Sequence, residues 1–260
     1  MHSASIEADP TRDVPHNCTL DLIFNQGRSY TLTSFSYDPI DVAVNIIRPL
    51  YGICTTARRH YHDHPIPDNP SRRVYEASVV FYGRTNPWAS RVCVKYAAGE
   101  KAVADLLREA KMYCYELRHV AGVAVPKFYS FFTGTDESRR PIACMITELC
   151  RGDGVILDPK EFKCVFRLYH TDCDAHWRRV SSRRVMLAVC QIHQAGVVHN
   201  GLYDYHHFVM QGARVCVVDF SRATTHSCGN CIPSLANSIY DVPSWCSELY
   251  HAEQRFGRQA

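Results

Sequence analysis

No stretch of this chain approaches the ~18 apolar residues that a membrane-spanning helix needs. Its first ten residues, MHSASIEADP, have neither a basic start nor an apolar run. These two absences predict a soluble chain that is not secreted and resides in the cytoplasm or nucleus. An excess of charge is lacking too. The 29 Lys and Arg against 26 Asp and Glu leave +3, too little for a field that gathers nucleic acid or an anionic membrane. The expectation is no nucleic acid, no membrane, and a protein partner whose identity is unknown. Basic residues bunch only in ARRH (57–60), SRR (71–73) and HWRRVSSRR (176–184), each a solvated face or a docking patch for an acidic partner. Low complexity and internal repeats are missing as well, and with 46% hydrophobic and 21% charged residues wholesale disorder is excluded.

Cysteine, by contrast, is plentiful, at 13 in 260 residues. A disulfide framework belongs in a shorter, loop-rich secreted chain. Cys93, Cys114, Cys144, Cys190 and Cys216 fall inside apolar periodic segments, where a thiol is a small core side chain. A reducing compartment follows.

The order of elements comes from periodicity. CTLDLIFNQGRSYTLTS (18–34) reads as two strands around the turn Asn25-Gln26-Gly27, and DVAVNIIRPLYGI (41–53) as another. RVYEASVVFYG (73–83) and SRVCVKYA (90–97) are strands beyond a polar, proline-broken segment. From Ala102 the period changes to 3.6, with Val103, Leu106, Leu107, Ala110, Cys114 and Leu117 forming one stripe, so a helix of about four turns is expected. AVPKFYSFFTG (124–134) and PIACMITELC (141–150) return to strand. SSRRVMLAVCQIHQAG (181–196) carries a serine start, Val185, Ala188, Val189 and Ile192 on one face, and Gly196 at its end, all helix signals. HFVMQ and ARVCVVDF then form a small hairpin through Gly212, and Trp245, Leu249, Ala252 and Phe256 fit a last amphipathic helix.

VCVKYA on a strand, a glutamate on the next helix, VVHNGLYDYHH after the second long helix and VVDFS after a hairpin together resemble the protein kinases. More narrowly, the chain looks like the divergent kinase-like proteins that mushroom-forming fungi encode in large numbers. The resemblance covers roughly residues 74–250. It implies an α+β, two-lobed kinase-like fold: an antiparallel-sheet N-lobe with one main helix, residues 1–149 with an N-terminal extension, and a truncated, mainly helical C-lobe over 150–260.

The resemblance also implies roles. Lys95 matches the strand lysine on the nucleotide phosphates, Glu109 its helix partner, and Asp219 the aspartate that holds Mg²⁺, with Ser221 where glycine is usual. Thr147 guards the back of an adenine pocket, and Glu148 to Cys150 offer backbone contacts to the base. Read as residues alone, a strand lysine is commonly just exposed and an aspartate ending a strand is commonly a turn cap. ATP and Mg²⁺ are the implied cofactors, against a filled, nucleotide-free pocket.

The polar positions depart from the pattern. Gly201 stands where the proton-accepting carboxylate belongs, and His206 where a second Mg²⁺ ligand belongs. Imidazole is a poor ligand for Mg²⁺, which wants oxygen. Asp204 lies three residues past the base position, and no glycine run precedes VYEASVVFYG to cover phosphates. Phosphoryl transfer depends on positioning and charge stabilisation, and losing a general base alone costs ~10²- to 10⁴-fold. The expectation is a pseudokinase, with an active divergent phosphotransferase as the alternative.

His226, Cys228 and Cys231 in THSCGNC, with Cys246 beyond, have ligand types and spacing that suit structural zinc. They equally suit buried thiols beside a satisfied histidine. His60, His62 and His64 read as solvated. Glu248 in SEL faintly resembles the glutamate that closes a kinase activation segment.

Overall fold

In the computed structural model, residues 16–24, 29–36, 42–50, 72–81, 90–151, 171–202, 207–228 and 246–257 are described. Seven strands form: β1 (His16–Ile23), β2 (Ser29–Ser36), β3 (Val42–Pro49), β4 (Arg72–Phe81), β5 (Ser90–Ala98), β6 (Phe128–Thr135) and β7 (Pro141–Glu148). They close into one barrel in the order β1-β2-β6-β7-β5-β4-β3.

This closure overturns the two-lobed kinase-like expectation, with its antiparallel-sheet N-lobe and mainly helical C-lobe. The physical cause lies in the hairpin of β1 and β2. β1 pairs parallel to β3, with Leu20 opposite Val42 and Leu22 opposite Val44, and β2 meets β6 at Thr33 and Thr133. The sheet then has no open edge. Packing at the seam is close, since a Cβ on Gly134 would come within 2.7 Å of Leu32 Cδ2 and that side chain would have to shift. Beyond residue 150 the described residues form only two α-helices, α2 (Thr171–Gln194) and α3 (Ser247–Ala252). They also form two two-stranded sheets: β9 (Phe208–Gln211) with β10 (Arg214–Val217), and β8 (Val197–Val198) with β11 (Thr224–Thr225).

The parity of β5 and β7 separates two cores. Val92, Val94, Ile142, Cys144 and Ile146 point into the barrel. Ala97, Ala143 and Met145 point outward onto α1 (Glu100–Cys114) and α2. A strand covered on both faces reads as a continuous apolar run, which is why PIACMITE shows no alternation. Each large aliphatic side chain so buried stabilises by about 1.5–3 kcal/mol. Lys95 lies opposite Met145 and therefore belongs to the outer face.

Helix α1 is turned relative to the expected stripe. Ala102, Leu106, Glu109, Ala110 and Tyr113 are its buried residues, while Leu107 is 39% exposed and Cys114 is exposed. Burying the large Tyr113 ring beneath Phe128 and Phe220 outweighs burial of a second leucine. The same rotation brings Glu109 inward. α2 starts ten residues before Ser181 and buries Val185, Ala188, Val189 and Ile192 as expected. Of the five cysteines read as core, Cys144, Cys190 and Cys216 are buried, Cys93 intermediate and Cys114 exposed. Among the described residues no helix is long and apolar enough to cross a membrane.

Candidate functional site

The outer face of β5 and the buried face of α1 meet the segment after β10, and three charges converge there. Lys95 Nζ donates to Glu109 Oε1 at 2.6 Å and to Asp219 Oδ1 at 2.8 Å. The Phe220 backbone N–H donates to the same Glu109 oxygen at 3.0 Å. Side-chain exposure runs from 2% for Glu109 through 15% for Lys95 to 42% for Asp219, so Asp219 is the more accessible of the two carboxylates. Burial disfavours the Lys95 ammonium, but the Glu109 and Asp219 carboxylates overcome it and hold the lysine well above its usual range. Burial pushes Glu109 up against the pull of Lys95. For Asp219, burial is outweighed by Lys95, and its carboxyl sits well below the usual range. Asp219 also occupies the left-handed region, φ 69° and ψ 73°, a conformation that costs about 1–3 kcal/mol.

The loop after β8 lies beside Asp219. His199 is 1% exposed, its Nε2 is 3.0 Å from the Val218 carbonyl oxygen, and its ring packs 4.8 Å from Phe220. A Cβ at Gly201 would come within 3.0 Å of His199 Nδ1 and 3.3 Å of His207 Nε2. A side chain at position 201 would therefore press on two imidazoles. His207 Nδ1 lies 3.9 Å from Asp219 Oδ2. It is therefore His207, unmarked in the sequence reading, that stands beside Asp219; His206 and Asp204 lie outside the described residues.

Burial, with a smaller contribution from His207, lowers the His199 pKa to about 4. A histidine depressed below its ordinary value of about 6.5 binds its proton more readily unfolded than folded, so its contribution to stability is present above about pH 6.5 and lost as pH falls towards 4. From about pH 7 to about pH 5 this group should remove about 2 kcal/mol. Urea unfolding of the native chain and of His199→Gln at the two pH values checks it: the variant should lose less stability on acidification, and equal losses would refute the assignment.

The residues expected around a base pocket have other partners. Thr147 is buried beside Cys93. The Glu148 carboxylate accepts from Arg214 at 2.8 and 3.2 Å and from the Lys127 amide at 3.1 Å. The Glu148 amide donates to the Lys127 carbonyl at 2.8 Å, so it is not an open donor for a base. The Cys150 thiol packs 2.7 Å from that of Cys216.

A second cluster forms where the end of α2, the chain after β11 and the start of α3 meet. His193, His226, Cys228 and Cys246 place one donor atom each within 4.8 Å of one another, and this group is able to hold a metal ion. Cys228 Sγ is the hub, 2.9 Å from His193 Nδ1, 2.7 Å from His226 Nε2 and 3.4 Å from Cys246 Sγ. Three of the four ligands expected from sequence are thus present. Cys231 lies outside the described residues, as do His60, His62 and His64. His193, which the sequence reading passed over, joins the set. Its signal was its position four residues after Val189 on the apolar face of α2, where a histidine needs a polar partner.

No protein-family model matches the chain, and no curated protein matches it.

Proposed function

We propose that the chain is a nucleotide-phosphate-binding protein with little or no phosphoryl transfer, a pseudokinase in function, that works through a protein partner. The observation that carries this reading is the meeting of Lys95, Glu109 and Asp219 across 124 positions of sequence. Glu109 fixes the direction of the ammonium, and the more exposed Asp219 offers a carboxylate to a phosphate-bound Mg²⁺. The glycine at 201, hemmed in by His199 and His207, supports binding without transfer, because it can neither orient nor deprotonate an acceptor hydroxyl.

The experiment is a thermal-shift titration with ATP, with and without Mg²⁺ or Mn²⁺, beside Lys95→Ala. At a hundredfold excess over Kd a ligand adds about 2.7 kcal/mol, which for a chain of this size raises Tm by roughly 5–10 °C. The variant should lose that rise, and no shift with any metal would refute the reading. Phosphate transfer that disappears in Asp219→Ala would instead establish the alternative, an active divergent phosphotransferase.

The ion we assign to His193, His226, Cys228 and Cys246 is zinc. Two thiolates and two imidazoles are a donor set that a closed, tetrahedral structural site uses, and the burial of His193, Cys228 and Cys246 supports a structural role.

A further inference from the structure

Glu248 lies between the two clusters. It is 5% exposed and sits in the first turn of α3. Its Oε2 is 3.0 Å from His193 Nε2 and accepts from the His199 amide at 2.8 Å, and its Oε1 accepts from the Asn200 amide at 2.8 Å. The first contact sets the tautomer of the metal-facing histidine. A carboxylate accepts, so His193 carries its proton on Nε2, and Nδ1, the atom 2.9 Å from Cys228 Sγ and 3.6 Å from Cys246 Sγ, keeps its lone pair for an ion.

The other two contacts fix a loop with little freedom of its own. Asn200 is left-handed at φ 60°, and its side chain donates to the Arg222 carbonyl and to Thr224 Oγ1. His199 carries the connection onward through the Val218 carbonyl, one residue before Asp219. An unbroken path therefore runs from the metal ligands through His193, Glu248 and His199 to the backbone that holds Asp219.

We propose that Glu248 is a positioning residue that couples metal occupancy at His193, His226, Cys228 and Cys246 to the geometry of the His199–Gly201 loop and of Asp219. The inference rests on the zinc reading above and not on nucleotide binding. Its physical basis is polarisation and tautomer control. A cation on Nδ1 strengthens the Nε2–H donor, and the hydrogen bond to the buried carboxylate tightens. Without the ion that polarisation is absent, and the Nε2–H donor to Glu248 is the weaker one of a neutral imidazole. A buried carboxylate anchored by a weaker donor is held less firmly, and the two loop amides it accepts from are held less firmly with it.

The test uses the full chain. Metal content is measured on the purified protein, and amide hydrogen exchange is followed in the metal-loaded protein, in the chelator-stripped protein and in loaded Glu248→Gln. One metal per chain is expected. Stripping should speed exchange roughly tenfold or more in segments 197–202 and 217–222 while strand 142–148 keeps its protection. Glu248→Gln should bind the metal about 10- to 100-fold more weakly, and when loaded should show the same two segments deprotected. Cobalt-loaded Glu248→Gln should keep thiolate-to-cobalt absorption, which separates loss of coupling from loss of a ligand.

Absence of metal would overturn the zinc reading and this inference with it. Metal present, with exchange at 197–202 unchanged on its removal, would overturn this inference alone. Should stripping also unfold strand 142–148, loaded Glu248→Gln decides: two deprotected segments on an intact strand support the coupling, and unchanged protection refutes it. No nucleotide is present in any arm, so failure of the phosphate reading does not enter.

Discussion

With zinc at the proposed four-residue site, chelation is expected to lower the Tm of the purified chain by roughly 8–16 °C. A ligand held a thousandfold above its Kd stabilises by about 4 kcal/mol, and each kcal/mol is worth about 2–4 °C in a chain of this length. The effect is large because the four ligands come from three places: His193 closes α2, His226 and Cys228 follow β11, and Cys246 precedes α3. A metal bound there would tie together the end of α2, the chain after β11 and the start of α3, adding to the direct contact of His193 with Glu248. Cys228→Ser removes the hub, which contacts His193, His226 and Cys246, and this variant should start at the low Tm and be indifferent to chelator. Scanning calorimetry of both proteins with and without chelator checks this. A native Tm that chelator does not move would remove the metal from the account of stability.

The second large effect is expected for Lys95→Met. The substitution leaves Glu109, 2% exposed, and Asp219 facing one another without the ammonium that separates them. Removing one partner of a buried ion pair costs about 3–5 kcal/mol, or roughly 6–20 °C in Tm. The pH dependence carries a sign that distinguishes this cause from simple loss of packing. Burial alone raises the Glu109 carboxyl, so in the variant its folded pKa stands above the unfolded one, and its contribution is favourable below about pH 4.3 and lost as pH rises. In the native chain Lys95 holds Asp219 low, a contribution present at neutral pH and lost on acidification. The stability gap between the two proteins should therefore be widest near neutral pH and should narrow towards about pH 5. Denaturant unfolding at both pH values measures it, and a gap independent of pH would mean the lysine acts through its hydrocarbon stem alone.

Strand and helix periods were legible because they are local. Alternation over VYEASVV and VCVKYA marks strands whatever they later pair with, and the 3.6-residue spacing of Val185, Ala188, Val189 and Ile192 marks the buried face of α2. Lys95, Glu109 and Asp219 were marked out by the resemblance to the protein kinases, and they do meet. The stripe on α1 was misjudged by about one position because hydrophobicity alone favours Leu107, whereas the packing of Tyr113 and the pairing of Glu109 set the rotation.

The sequence by itself determined which residues can lie in strands and helices, which side chains carry charge, and that Gly201 brings no carboxylate to the loop after β8. All of these depend on chemistry within a few residues. Only the tertiary structure decided that β1 runs parallel to β3 and closes the barrel, since strand alternation is blind to which partner a strand takes. It alone decided that His193 completes the metal group, that His207 stands beside Asp219, and that Glu248 bridges His193 to the loop amides. Each of those contacts joins groups 12 to 55 positions apart, a distance over which only the packing of the chain sets what meets.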